Sequence, residues 1–339
     1  MKKITIKDVA REAGVSVTLV SFVMNAKVGE DGRLDCPVNP ETAARVLEVA
    51  KRLGYRRNAA AASLRSGRSN TIAVITTDIA NNFFGGISRY IEDKSAQYGY
   101  TVLFCSSDEN ADKLDALVDT VLAYNIDGLI VAPVPGGRKA LSKAIESRVP
   151  VVLLDRDVED LDGVGKVLLN DIEAGKMATE YLIGKGYRKI EMVSYDLDIS
   201  SISERAEGYR RAMSAHGLEA RVDTTSYGDP QKLMPNIIKD AIERGVEAFF
   251  IPTYSLTALV IGAMNEMHLR TPRDLGLVAF DESDLYRLGP STIAHIVQPL
   301  KELGEKSVEV LHSMIENEPG ETTIILKPEL VPGGSVTDR

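Results

Sequence analysis

Three aspartates in this chain each follow a run of apolar residues. Asp78 comes just after T-I-A-V-I-T (71–76), Asp155 ends V-P-V-V-L-L-D (149–155), and Asp281 ends G-L-V-A-F-D (276–281). A carboxylate accepts two hydroxyl hydrogen bonds at once, which suits a vicinal diol. Arg205, in E-R-A-E-G-Y-R (204–210), adds a forked donor. Phe83 and Phe84 add aromatic faces on which the C–H side of a sugar ring can stack. Each group has a plainer reading as well. An Asp after a strand is often a cap or turn residue, and neighbouring phenylalanines often sit in a core. Chemistry beyond binding lacks support. The four histidines (His216, His268, His295, His312) stand at no metal-ligand spacing, and Cys36 has no second ligand near it. No G-x-S-x-G elbow, phosphate-binding G-x-x-x-x-G-K-[ST] or strand-to-helix G-x-G-x-x-G occurs. The residues predict a binding protein with no catalytic group, metal or cofactor. His216, before Gly217, suits a helix C-terminus.

Strands and helices must place these groups. From residue 71 onward, strand-length apolar runs (71–76, 101–105, 128–132, 149–155, 189–193, 248–252, 276–281) alternate with helical stretches. The helices are expected near 84–98, 112–124, 138–147, 172–185, 204–216, 230–244, 255–267 and 300–317. Continuous Val/Ile/Leu runs suit strands buried on both faces, and repeated βα units imply parallel sheets with right-handed crossovers. A break near 160–170 divides the units into two sets with a cleft between them. Ligands bind such sheets at the carboxyl ends of the strands.

The N-terminal segment is of another kind. Thr5 can cap a helix whose Ile6, Val9, Ala10 and Ala13 share one face, and Gly14 can end it. Ser16 can cap a second helix bearing Val20, Val23 and Met24. Two short helices joined by a tight glycine turn read as a helix-turn-helix in preference to the alternative, an αα-corner in a core. A third helix is expected over 41–55, its stripe formed by Ala43, Val46, Leu47, Ala50 and Leu53, with Gly54 as its stop. Residues 56–70 follow, with Arg56, Arg57, Arg65 and Arg68 available for phosphate contacts. Their alanines favour a helix too short to persist alone. Leu64 is placed as a wedge for a minor-groove base step, and a polar linker is the other reading. The stretch 27–40 reads as a loop.

Charge agrees with that division. The 339 residues carry a net charge of −9, yet residues 1–70 hold 13 Lys and Arg against 7 Asp and Glu, while residues 71–339 hold 27 against 42. A basic head on an acidic body predicts that only the head meets a polyanion. Two cysteines suggest a reducing compartment. No apolar run approaches a membrane span, and the N-terminus has no signal-like segment, so the expected location is the cytoplasm.

The chain resembles the lactose-repressor (LacI/GalR) family of bacterial transcription regulators. The resemblance rests on T-I-K-D-V-A-R-E-A-G-V-S at 5–16, V-S at 20–21, Asn25, L-G-Y at 53–55, and N-A-A-A at 58–61 with Ser63-Leu64. It implies an α/β protein: a small all-α helix-turn-helix head (1–57), a hinge helix (58–70), and a core (71–339) like periplasmic sugar-binding proteins. That core would hold two doubly wound parallel-sheet subdomains, 71–168 with a return near 298–330, and 169–297. A homodimer would bind operator DNA through Thr5, Ser16, Val17, Thr18, Ser21, Phe22, Asn25, Tyr55, Arg57, Asn58, Ala61 and Leu64. A sugar-like effector would meet Asp78, Phe83, Phe84, Asp155, Asn170, Asp171, Arg205, Tyr254 and Asp281, with the two phenylalanines in a covering loop. The chain departs from the family pattern in places. Leu19 and Phe22 stand where Thr and Arg are usual, Arg57 and Ala62 where Pro and Arg are, Asn82 where Pro is, and Tyr254 where Asn often is. Asn170-Asp171 reverses the family's Asp-Asn. A sugar-transport binding protein or a sugar-modifying enzyme would share the core, and neither would need the basic head.

Overall fold

The computed structural model describes residues 4–28, 34–55, 67–289 and 291–339. The chain forms two compact units, 1–69 and 70–339.

In the first unit, α1 (Ile6–Ala13) begins where the Asp8 carboxylate accepts from the Thr5 backbone N–H at 3.0 Å and from its hydroxyl at 2.7 Å. It ends at Gly14, whose φ of 67° costs glycine nothing. The Ser16 Oγ then accepts from the Leu19 N–H at 3.2 Å and starts α2 (Val17–Asn25). Asn39, with Pro40 in the first turn, starts α3 (Pro40–Leu53), and Gly54 ends it. Val9, Ala10, Ala13, Val20, Val23, Ala43, Val46, Val49 and Ala50 close the core between the three helices. Leu47 does not join them: it is 40% exposed. The buried stripe of α3 centres on Val46, from which a helix turns Leu47 by about 100° and Val49 by only about 60°. The segment 27–40 is also not loop throughout. Strand β1 (Lys27–Val28) pairs antiparallel with β2 (Leu34–Asp35).

The second unit begins with β3 (Thr71–Thr76), α4 (Asn82–Gln97), β4 (Thr101–Ser106), α5 (Ala111–Ala123), β5 (Gly128–Val131), α6 (Arg138–Glu146), β6 (Val151–Leu154) and β7 (Gly165–Leu169). It continues with α7 (Asp171–Gly184), β8 (Ile190–Tyr195), α8 (Ser200–Ala215), β9 (Arg221–Thr225), α9 (Pro230–Glu243), β10 (Ala248–Phe250), α10 (Tyr254–Glu266), β11 (Gly276–Phe280), a short α11 (Leu285–Leu288) and β12 (Ala294–Val297). Last come α12 (Leu300–Glu316), β13 (Thr323–Leu326) and β14 (Glu329–Val331). Two six-stranded sheets result. The first runs β13-β7-β6-β5-β3-β4, wholly parallel; the second runs β14-β12-β11-β10-β8-β9, with only β14 antiparallel.

Every residue of β5, β6, β10 and β11 is buried, as helices on both faces of a parallel sheet require. The chain passes between the sheets three times: at Asn170, after β12, and between β13 and β14. The return expected to end near 330 therefore stops at 326, because residues 329–331 pair with β12 in the second sheet.

Candidate functional site

Asp155 follows β6 directly and Asp281 follows β11, so each closes the carboxyl end of a strand in its own sheet. Both take left-handed backbone angles, φ 69° and 66°, which are uncommon for residues with a Cβ. The two stand on the wall of one cavity of about 440 Å³, with Asp78, Phe83, Phe84, Arg205 and Tyr254. Seven of the nine effector residues expected from sequence are thereby brought together.

The other two are placed elsewhere. Asn170 is exposed and caps α7, its Oδ1 accepting from the Glu173 N–H at 3.1 Å. Asp171 is buried behind Arg205, accepting from its Nε at 2.6 Å, and does not line the cavity. Phe83 and Phe84 are also corrected in kind. They sit in the first turn of α4 rather than in a loop, buried in the core of the first sheet while forming cavity wall. Asp78 combines both readings, since its Oδ1 accepts from the Ala80 N–H at 2.8 Å and it lines the cavity.

Arg205 lies in the second turn of α8, stacked 3.8 Å above the Phe280 ring. Its Nη1 donates to the Pro252 carbonyl at 2.7 Å, and its Nη2 faces Asp155 Oδ1 at 3.9 Å. Two glycines set this position. A Cβ on Gly175 would meet the Arg205 carbonyl oxygen at 2.0 Å, and one on Gly208 would meet that of Ile172 at 2.0 Å. The backbones of α7 and α8 therefore touch, which brings Asp171 onto the guanidinium. Asp281 accepts from Gln298 Nε2 at 2.7 Å and from the Tyr254 N–H at 3.1 Å.

Sequence reasoning missed several wall residues. Arg156 forms a bidentate pair with Glu109, at 2.8 and 2.7 Å. Tyr195 and Tyr227 pack edge to face at 5.2 Å, and Gln298 joins Asp281 from the second crossing. The adjacency of Arg156 to Asp155 was a signal; Glu109, Tyr195 and Tyr227 carried none.

Burial raises the Asp155 and Asp281 carboxyls above the usual range against the pull of Arg205. It lifts Asp171 to about 7 in spite of the Arg205 charge. Burial pulls Arg205 down, but Asp171, Asp155 and Asp281 raise it on balance. Burial also pushes up the Tyr195 and Tyr227 hydroxyls. The wall thus offers carboxyl groups, two guanidinium groups and aromatic rings, a set chemically able to hydrogen-bond hydroxyl groups. His216 caps the end of α8 and meets Glu180 at 2.8 Å. Among the described residues no cluster of His, Cys, Asp and Glu is arranged to hold a metal ion.

In the first unit, α2 presents Val17, 40% exposed, Phe22, 50% exposed, and an exposed Thr18. Its nine residues, VTLVSFVMN, carry no charge. The Asn25 amide donates to the Ser21 carbonyl at 2.6 Å and its hydroxyl at 3.1 Å. Thr5 and Ser16 are occupied as caps, and Tyr55 packs half-buried against the helical core. Arg57, Asn58, Ala61 and Leu64 lie outside the described residues.

A helix-turn-helix head followed by a two-sheet core with a cavity at the strand ends is the architecture of a DNA-binding transcription regulator. Residues 5–58 match the bacterial regulatory proteins of the lacI family, and residues 179–336 match the periplasmic binding protein-like domain. The chain is 30% identical over 335 residues to catabolite control protein A of Priestia megaterium, covering 97% of each protein. It is 28% identical over 344 residues to the ribose operon repressor of Escherichia coli K12, covering 98% of this chain and 99% of that one. Its fold matches the lac repressor dimer bound to operator and the anti-inducer ONPF, at a TM-score of 0.83 and 21% identity over 99% of this chain and all of that one. The chain belongs to the lacI family of bacterial regulatory proteins. It is a DNA-binding transcription regulator and not an enzyme. No helix among the described residues is long and apolar enough to cross a membrane.

Proposed function

We propose that this chain acts in the cytoplasm as a homodimeric repressor controlled by a sugar or sugar derivative held in the core cavity. One observation carries the reading: Asp155, Asp281 and Arg205 converge from two sheets on one cavity, in a chain that also carries the helix-turn-helix. The ribose operon repressor among its relatives supports the sugar class, and the operator-bound dimer of the same fold supports the dimer. Residues 1–57 are the DNA-reading head, 58–70 the hinge and 71–339 the effector core. Ser16, Val17, Thr18, Ser21, Phe22 and Asn25 face base edges and backbone in the major groove. Thr5, Tyr55, Arg57, Asn58 and Ala61 position the head, and Leu64 enters the minor groove.

The ligand regulates only through unequal affinity for the DNA-competent and incompetent arrangements of the core. A thermal-shift panel of sugars, followed by operator gel shifts with and without the hit, tests this. The hit is expected to change operator affinity at least fivefold. A tight ligand of this cavity that leaves operator affinity unchanged would sink the reading.

A further inference from the structure

Two buried cations stand at the cavity, and carboxylates already hold both. The Arg156 Nη1 and Nη2 both donate to Glu109, and Nη1 also donates to the Pro133 carbonyl at 3.0 Å. The two side chains are 9% and 5% exposed. The remaining Nε faces Asp155 Oδ2 at 3.5 Å. Arg205 is engaged by Asp171 and the Pro252 carbonyl. The buried polar atoms left unpartnered around this wall are one donor, Arg156 Nε, and two acceptors. Asp155 Oδ1 and Gln298 Oε1, on residues 5% and 4% exposed, find no hydrogen-bond partner within the protein.

A carboxylate forked onto a guanidinium is the geometry by which an arginine holds the carboxylate or phosphate of a ligand. Here the anion belongs to the protein. Glu109 is the second of two residues with left-handed φ, 54° at Asp108 and 53° at Glu109, in the turn after β4. We propose that Glu109 is a built-in stand-in for an anionic ligand group. It occupies Arg156, so that the cavity selects an uncharged polyhydroxy compound over its phosphorylated or carboxylated counterpart. This rests on the reading of the cavity as the effector site.

A phosphate that takes the fork of Arg156 must displace Glu109 and strand a buried carboxylate, which weighs against it. A hydroxyl displaces nothing and donates to Asp155 Oδ1 or Gln298 Oε1. Arg205 Nη2 and Asp155 Oδ1, 3.9 Å apart, also suit a group that accepts from one and donates to the other, and a hydroxyl does both.

The test titrates the full chain with D-ribose and ribose 5-phosphate, D-glucose and glucose 6-phosphate, and inorganic phosphate alone, read by calorimetry and thermal shift. In the wild type the neutral member of a pair is expected to bind at least tenfold tighter than its phosphate, and inorganic phosphate to leave the melting temperature unchanged. In Glu109→Gln the preference is expected to move at least tenfold toward the phosphorylated member, with inorganic phosphate now stabilising. Glu109→Gln/Arg156→Gln should lose that gain. Should Glu109→Gln fail to fold, Glu109→Asp, one methylene too short to reach the Arg156 Nη atoms, is expected to move the preference in the same direction. An unchanged preference in either folded variant overturns the proposal. So does wild-type binding of a sugar phosphate as tight as its neutral partner, and that result leaves the effector cavity standing. If no neutral probe binds while Glu109→Gln gains phosphate, the sugar reading fails and the role of Glu109 survives.

Discussion

Removing the Asp281 carboxylate takes an acceptor from both the Gln298 amide and the Tyr254 N–H. Asp281→Asn keeps an acceptor and tolerates the left-handed backbone, so it should fold with little loss and bind effector at least tenfold more weakly. Asp281→Ala should cost a further ~1–3 kcal/mol in denaturant unfolding, since a buried donor loses its partner. Equal effector affinity in Asp281→Asn and wild type would place the ligand elsewhere. Asp171 gives a pH-dependent counterpart. Its folded pKa of about 7 exceeds the ordinary 3.8, so the folded chain binds the extra proton between these values. Its contribution to stability therefore falls as pH rises from about 4 to 7 and is flat above. Asp171→Asn still offers an acceptor to Arg205 and removes this slope, so its melting temperature should gain on the wild type between pH 5 and 8. A constant difference across that range would mean that Arg205 keeps Asp171 ionised throughout. Asp155 and Asp281 were legible in the sequence as cavity wall because strand ends mark where a cavity must lie, and Arg205 because a forked donor stands near a helix start. Glu109 and Tyr227 were not, because what places them is contact with residues far along the chain: Arg156 is 47 positions from Glu109. Nor did sequence separate Asp171 from the lining, since a helix's first residue can face either way.

At the level of elements, the α7–α8 contact is the part most sensitive to a single methyl. Gly175→Ala puts a Cβ 2.0 Å from the Arg205 backbone oxygen, and neither helix can yield by a rotamer change. A loss of about 1–3 kcal/mol in denaturant unfolding is expected, as for other overpacked sites, with effector affinity falling alongside as Arg205 shifts. Stability equal to wild type would show that the helices can part without strain. The recognition helix offers an independent prediction. With no charged residue in α2, the proposed base reading would fall to hydroxyls, the Asn25 amide and the exposed Val17 and Phe22. Phe22→Ala should weaken binding mainly to operators with a thymine at the facing position, by about 1–3 kcal/mol, in selection from randomised DNA. A uniform loss across all sequences would argue against thymine-methyl reading. The repeated βα pattern was readable because continuous apolar runs are unambiguous when strands are buried on both faces. Strands β7, β9, β12, β13 and β14 were missed. Gly165–Leu169 alternates buried and half-buried residues, and Arg221–Thr225 lies at a sheet edge with mixed polarity, so neither shows such a run. Leu47 failed for a similar reason, as a fourth apolar position can fall on either flank of a stripe.

On the scale of the whole molecule, charge and architecture divide together. The acidic residues 71–339, expressed alone, should fold and shift no operator DNA. For the full chain, the logarithm of affinity should fall steeply with that of salt, by about 0.9 per phosphate neutralised. Retained operator binding by the core alone would overturn the division. The three passages of chain between the sheets bear on how the core moves. Joined at three places, the lobes cannot slide or separate freely, and twisting the connections is the soft motion left to them. Gln298 sits in one of those connections, between β12 and α12, and reaches the cavity wall with its amide. A bond made to it is a clamp on a pivot and adds stiffness rather than torque. Leverage must come from groups carried by the lobes themselves, so tightness of grip and power to turn the lobes are separable properties of a ligand here.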